Sequence, residues 1–346
     1  MKQIFIIMFM LLTIEAKAQC FIDSCLEAFA RQTLFERGFC DDYTAAGIVI
    51  LESSTGKVIA DICHGYVDKS TPYINSYEMP MAGAGISMAV LYLAMMEVLR
   101  PSFLVDINGG LYNDSITGCT IIDHNYKWGG YTTLNLEMCM DRSSVGMVKA
   151  CEVAFSRNAI RYERALKKTG IMFENYSESD DEYYDECDSS QVWSPCDIIG
   201  YRSSLSLYQM TAWLNATVNG GKVMLRVNKN DSKEAICEIK SVGLSDLKSA
   251  MNKAVAEGLG KKMQSKYTTV GGVSYVSPRD EQGYLCTAIG YFPTVNPKYT
   301  VGCLISKKSL PAGRLLPTET VGKIINYLVE NHYLDNVETK YHRAEK

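Results

Sequence analysis

Three short segments of this 346-residue chain carry hydroxyl side chains beside an apolar run. They are residues 84–89 with Ser87, residues 141–147 with Ser143, and residues 270–276. A serine hydroxyl attacks a carbonyl carbon efficiently only when a neighbouring base takes up its proton. Neither serine has a His or Lys three or four residues away. The segments therefore supply hydroxyls for acyl chemistry without an evident activated pair.

The first 18 residues have the features of a signal peptide. A lysine at the start is followed by an apolar run over residues 4–14, which is too short to span a membrane. Residues 16–18 read Ala-Lys-Ala, a small-x-small cleavage pattern. Cys20 raises a lipoprotein alternative, which its neighbours Lys17 and Gln19 disfavour. We expect a secreted or periplasmic protein whose mature form does not span a membrane.

Composition narrows the classes of partner and cofactor. The net charge of −4 at pH 7 argues against a nucleic-acid partner, and a hydrophobic content of 47% supports a substantial core. Only four His are present and no Cys-x-x-Cys pair occurs, so we expect no zinc site. We likewise expect no cofactor.

The chain contains twelve cysteines, and an exported protein can form disulfides. Cys187 and Cys196 flank one acidic loop, and we predict that they pair. By contrast, Cys139, Cys151 and Cys303 lie in apolar runs and are expected to be small core residues.

Residues 178–188 contain seven carboxylates in eleven positions. We interpret this acidic run as a solvated surface loop. A calcium site is the alternative, but the spacing lacks the regularity and the central glycine of an EF-hand loop.

Periodicity and turn residues predict a single α+β domain. The predicted elements are a hairpin over residues 45–67, helices over 85–99, 134–155, 207–219 and 245–257, strands over 270–277, 284–292 and 299–306, and a closing helix over 318–334. The helix over 85–99 is apolar nearly all round, so it belongs in the middle of the domain. Strands from both ends of the chain would share one antiparallel sheet.

Several of these segments resemble the transpeptidase domain of penicillin-binding proteins, in the order found there. Residues 45–61 resemble its opening hairpin, and Asn219-Gly220-Gly221 ends a helix as the family's A-N-G-G motif does. Residues 284–306 resemble its F-x-G-[FY]-x-P-x-x-x-P-x-Y segment. The resemblance covers about residues 43–330 and implies a β-lactamase/transpeptidase-like fold. That fold has an antiparallel five-stranded sheet flanked by helices, with a mostly helical inserted half.

The family's chemistry begins with a Ser at the start of the central helix and a Lys one turn later. Aligning residues 93–97 with the family's L-A-A-L-E places Gly85 at the serine and Met88 at the lysine. Glycine has no side chain to acylate, and a thioether cannot accept the proton. A register using Ser87 would place Val90 at the base position. We interpret Met88 as a core residue.

The second motif of the family resembles residues 141–147. Ser143 matches its serine, whereas Val145 replaces its asparagine. A hydroxyl at the start of a helix is commonly an N-cap. Two interpretations of Ser143 therefore stay open, an N-cap alone or a retained polar role.

The third motif, Lys-Thr-Gly on a strand, corresponds to residues 273–275. Val273 replaces the lysine and Ser274 keeps a hydroxyl. Tyr275 stands where glycine normally lets the substrate approach the backbone. We expect that tyrosine to crowd the groove.

We predict a penicillin-binding-protein-like domain over residues 43–334, after a signal peptide over 1–18 and an N-terminal segment over 19–42, with a charged tail over 335–346. The losses at all three motifs indicate a catalytically inactive pseudoenzyme. The resemblance implies as partner either a peptidoglycan stem peptide or a cell-wall protein, with Ser143, Ser274 and Tyr275 as candidate binding residues.

Two alternatives stay open. One is an active DD-transpeptidase, carboxypeptidase or esterase that uses Ser87 or Ser143 as a non-standard nucleophile. The other is an unrelated secreted binding module, which would lack a five-stranded sheet flanked by the helix that contains Gly85.

Overall fold

A computed structural model describes residues 23–38, 43–65, 76, 80–82, 84–171, 193–200, 204–226, 234–278, 283–309 and 314–334. Its helices are α1 Ser24–Gly38, α2 Ala84–Met95, α3 Leu136–Arg142, α4 Ser144–Phe155, α5 Ala159–Lys168, α6 Pro195–Ile198, α7 Leu207–Val218, α8 Leu244–Ala256 and α9 Leu315–Glu330. The predicted signal peptide, the acidic run and the charged tail lie outside the described residues.

The described strands form one five-stranded sheet and four two-stranded pairs. They are β1 Tyr43–Glu52, β2 Val58–Gly65, β3 Pro80–Ala82, β4 Leu104–Asp106, β5 Leu111–Asn113, β6 Thr120–Ile122, β7 Thr133–Asn135, β8 Ser204–Ser206, β9 Lys222–Arg226, β10 Glu234–Glu238, β11 Gly271–Pro278, β12 Tyr284–Phe292 and β13 Tyr299–Lys307.

The large sheet joins the two ends of the chain. Its strand order is β11-β12-β13-β1-β2, and every neighbouring pair is antiparallel. The amino-terminal hairpin therefore adds to three carboxy-terminal strands, as predicted. The predicted α+β class and the five-stranded antiparallel sheet are confirmed.

Side-chain alternation along β1 divides the core into two layers. Ile48 and Ile50 belong to a buried cluster with residues of α1 and α9, whereas Val49 and Leu51 belong to a cluster with residues of α2. Successive side chains of a strand point to opposite faces, so one strand contributes to both layers. Fully burying each such side chain stabilises the fold by about 1.5–3 kcal/mol.

Helix α2 runs through the middle of the domain. Every side chain over residues 86–95 is at most 5% exposed, in keeping with the predicted lack of a polar face. Even so, none of the helices in the described ranges combines the length and the apolar character needed to cross a membrane.

A break at Ser143 divides the single helix predicted over residues 134–155, so that prediction is wrong. Helix α3 ends at Arg142, Ser143 has extended backbone angles (φ −142°, ψ 108°), and α4 begins at the next residue. The apolar pattern continues across the break, which is why periodicity alone did not show it. The break places Ser143 and Ser144 at the start of α4.

Helix α1 was not predicted from the sequence. Its residues Leu26, Ala30 and Leu34 are spaced four apart and are buried against the sheet and α9. The Asp23 carboxylate accepts the backbone N–H groups of Cys25 and Leu26, each at 3.0 Å, and so caps the start of the helix. Part of the segment that precedes the hairpin thus contributes to the core.

The predicted Cys187–Cys196 disulfide is wrong, because Cys196 is bonded to Cys119, with 6.1 Å between their Cα atoms. The segment around α6 packs against β6, and this contact brings together cysteines that are 77 positions apart in the sequence. Cys187 lies outside the described residues. The thiols of Cys139, Cys151 and Cys303 are free and buried, as expected of core residues.

Candidate functional site

The start of α2 faces strand β11 across a very small cavity. Gly85 and Met88 line it from the helix, and residues 273–275 line it from the strand. Its volume is about 10 Å³, which is close to the space of a single water molecule. The structure therefore brings together five of the seven motif positions named from the sequence.

Position 85 has room for a side chain only if its neighbours move. A Cβ atom there would lie 2.8 Å from Thr287 Cγ2, 2.9 Å from Thr287 Oγ1 and 2.9 Å from Met210 Sδ. Thr287 belongs to β12 and pairs with Tyr275 of β11. The neighbouring strand thus occupies the space that a nucleophilic side chain at the start of α2 would need.

The other positions around the cavity are apolar or closed. Met88 is 5% exposed and Val273 is 8% exposed, and both belong to the core cluster around α2. Tyr275 is also buried, and its hydroxyl shares a hydrogen bond of 2.8 Å with Ser144 Oγ. The tyrosine side chain therefore joins β11 to the start of α4 across one side of the groove.

Ser143 and Val145 do not line this cavity. Ser143 Oγ donates to the Asp123 carboxylate at 2.5 Å and accepts the backbone N–H of Gly146 at 2.8 Å. The N–H of Val145 also donates to Asp123, at 3.1 Å. Burial raises the pKa of Asp123, and these donors oppose that effect. The Ser143 hydroxyl is an N-cap that also binds a buried carboxyl.

Ser87 is held by a different contact. Its hydroxyl is buried and donates to the backbone oxygen of Ile199 at 2.7 Å. The bond links α2 to the residues that follow α6. The Ser87 hydroxyl thus has a structural partner, and the sequence has no His or Lys three or four residues away from it.

Two hydroxyls near the cavity make no hydrogen bond with any described residue. They belong to Ser274 and Thr287, which are 6% and 1% exposed. Among the described residues that line the cavity, Asp141 and Tyr275 have ionisable side chains. The Asp141 carboxylate accepts the N–H of Leu259 at 2.9 Å and lies 3.6 Å from Arg142 Nε. Burial raises the pKa of Asp141.

Sequence reasoning missed Thr287, Asp123 and Asp141. Thr287 is a polar residue in the middle of an apolar strand, and nothing in its own segment indicates that it faces Gly85. Asp123 directly follows β6, about twenty positions before the serine that it binds. In the part of the chain that the structure describes, no three His, Cys, Asp or Glu side chains are grouped to hold a metal ion.

Comparison with solved structures places this architecture among transpeptidase domains. Three similar structures each give a TM-score of 0.66 and cover 90% of this chain. They are a peptidoglycan glycosyltransferase from Burkholderia ambifaria, at 17% identity over 97% of its chain; the transpeptidase domain of Burkholderia pseudomallei penicillin-binding protein 3, at 16% over 96%; and the D,D-transpeptidase domain of a peptidoglycan glycosyltransferase from Eggerthella lenta, at 14% over 82%.

The chain has the fold of a transpeptidase domain. The likeness at these identities shows the fold alone. No protein-family model and no curated protein match the sequence. The alternative of an unrelated module expected a structure without a five-stranded sheet flanked by the helix that contains Gly85, and that expectation is wrong, because both are present.

Within the transpeptidase fold, the structure brings the first and third motif positions together and leaves the second apart. Gly85 and Val273 lie on opposite walls of the same small cavity, whereas Ser143 is turned toward Asp123. Ser144, which the sequence analysis did not single out, contacts Tyr275 instead. The arrangement has hydroxyl groups near the groove, but the residue at the start of α2 carries no side chain.

Proposed function

We propose that this protein is a catalytically inactive member of the transpeptidase fold, exported to the cell envelope, where it binds or scaffolds a cell-wall partner. The observation that carries the proposal is the packing at Gly85. Thr287 and Met210 lie so close that even a Cβ atom would require them to move. Acyl transfer on this scaffold needs an activated nucleophile at that place.

The other hydroxyls support the same reading. Ser87 is bonded to the Ile199 backbone, and Ser143 is bonded to Asp123 and to the start of its own helix. A nucleophile needs a base within hydrogen-bond reach. The position one turn after Gly85 is occupied by Met88. Ser143 does reach the Asp123 carboxylate, but it is only 3% exposed and does not line the cavity. An active enzyme that uses either serine would have to break a buried contact first.

The size of the cavity between α2 and β11 argues against binding of a partner there. A cavity of about 10 Å³ between α2 and β11 cannot accept a peptide, and Val273 offers no charge for a substrate carboxylate. We therefore infer that the partner contacts another surface. Binding of a protein is favoured over binding of a peptidoglycan stem peptide in the cavity beside Gly85.

Labelling with a fluorescent penicillin tests the proposal. We expect no labelled band from the purified mature protein, while a transpeptidase domain with intact motifs labels under the same conditions. A stoichiometric adduct would overturn the proposal. Loss of that adduct in Ser87→Ala or in Ser143→Ala would then assign the nucleophile to the active-enzyme alternative.

A further inference from the structure

A second and larger groove lies at the other end of α2. Its volume is about 350 Å³, and its floor consists of small or aromatic side chains that include Ala94, Phe155 and Ala165. Val98 lies on its edge and is 56% exposed. Ala94 is nine residues beyond Gly85, so the two sites are about 14 Å apart along the helix. The second groove is separate from the motif positions.

The wall of this groove is basic. Arg161, Arg164 and Lys168 contribute to it from α5, where spacings of three and four residues place them on one face. Lys168 Nζ lies 2.6 and 2.8 Å from the two carboxylate oxygens of Glu97. The guanidinium groups of Arg161 and Arg164 are exposed and make no ion pair or hydrogen bond with any described residue. No described residue therefore neutralises these two positive charges, in a protein whose net charge is −4.

The chemistry of the groove selects its ligand. Guanidinium groups bind carboxylates through paired hydrogen bonds, which a flexible ammonium group does not reproduce. An apolar floor beside them can bury one or two apolar side chains. The groove is open to solvent, whereas small-molecule sites enclose most of the ligand surface. An extended chain that carries carboxylates and apolar side chains meets all three conditions.

We propose that this groove, lined by Arg161, Arg164 and Phe155, binds an acidic peptide segment of a partner protein. Carboxylates of that segment contact the two arginines, and an apolar or aromatic side chain packs on the floor. The inference adds a site and a ligand class to the proposed binding role, and it rests on that proposed function. The binding itself does not depend on the state of the groove beside Gly85.

Fluorescence anisotropy with a labelled peptide of alternating glutamate pairs and tyrosines tests this proposal on the full mature protein. We expect Arg161→Glu/Arg164→Glu to weaken binding at least tenfold, and the milder Arg161→Gln/Arg164→Gln to weaken it several-fold. The matched control is Lys261→Glu/Lys298→Glu, which changes the net charge equally at two exposed positions outside the groove. The control should change binding less than twofold. Replacing the tyrosines of the peptide by serines should also weaken binding several-fold.

Three outcomes would overturn the proposal. One is an absence of binding, and another is equal weakening in the groove variant and its control, which would indicate general charge attraction. The third is binding at least tenfold tighter after the carboxylates of residues 178–188 are replaced by amides, because the chain's own acidic run would then be the occupant. A penicillin adduct together with a groove-specific loss of peptide binding would overturn the proposed inactivity alone.

Discussion

Replacing Gly85 by alanine should destabilise the protein, although alanine is the better helix former. The new Cβ atom would meet two atoms of Thr287 and one of Met210 at 2.8–2.9 Å. Overpacking of a rigid core by one methyl group costs about 1–3 kcal/mol. The higher helix propensity of alanine stabilises a helix by up to about 1 kcal/mol relative to glycine. The net expected loss is about 0–2 kcal/mol in the free energy of unfolding.

A Thr287→Ala background should reverse the sign of that effect. Removing the threonine deletes two of the three close atoms, and the remaining one is the sulfur of a flexible methionine. In this background Gly85→Ala should be neutral or stabilise the protein by up to about 1 kcal/mol. The double-mutant cycle should therefore give a coupling energy of about 1–3 kcal/mol between positions 85 and 287.

Urea unfolding of the four proteins in the cycle, followed by circular dichroism at equal pH and salt, measures this coupling. Additive effects would refute the reasoning that Thr287 fills the space beside Gly85. So would a Gly85→Ala single variant that is more stable than the parent. Either result would mean that position 85 can accept a side chain.

Three further predictions concern the disulfide, a buried ion pair and the groove tyrosine. Loss of the Cys119–Cys196 bond in a double serine variant should lower the unfolding free energy by about 4.5 kcal/mol on the chain-entropy treatment, given its span of 77 positions. Equal unfolding midpoints for the parent and the double serine variant would contradict this. Arg157 donates to Asp114 at 2.8 Å and holds the pKa of that carboxyl well below its usual value of 3.8. The ion pair therefore contributes its full stabilisation of the fold above pH 3.8, and this contribution is lost as the pH falls further. Between pH 7 and pH 3 the parent should thus lose about 1 kcal/mol more than Asp114→Asn, and a pH-independent difference would contradict the assignment. Tyr275→Gly should lower stability by about 3 kcal/mol without creating penicillin labelling, and a labelled Tyr275→Gly protein would show that the tyrosine alone blocks the site.

Much of the fold was predictable because strand and helix periods in the core are strong. The apolar run of β1 and the three carboxy-terminal strands have clear turn residues between them, and their registers follow from burial on both faces. Helix α1 was missed because its buried positions, among them Leu26, Ala30 and Leu34, alternate with Ser, Glu, Arg, Gln and Thr residues that blur the apolar pattern. These buried positions contact the sheet and α9, which are distant in the sequence, so the helix is recognised only once the fold is known.

The contacts that characterise the candidate site are long-range and could not be read from spacing. Cys119 and Cys196 meet because α6 packs on β6, and Ser143 meets Asp123 for a similar reason. Thr287 faces Gly85 only because β12 lies beside β11 and beneath the start of α2. The sequence identified the motif positions that lack a nucleophile or a base. The structure shows which side chains fill the space beside Gly85.

The central claim, that no residue of this transpeptidase fold becomes acylated, is tested most directly by intact-protein mass spectrometry. The purified mature protein would be incubated for many hours with benzylpenicillin and, separately, with a thioester acyl donor. We predict an unchanged mass in both reactions, because Gly85 has no side chain, Ser87 and Ser143 are bonded to structural partners, and the Ser274 hydroxyl has no described base within hydrogen-bond reach. A shift by the mass of one acyl group, mapped to a single serine, would contradict the account.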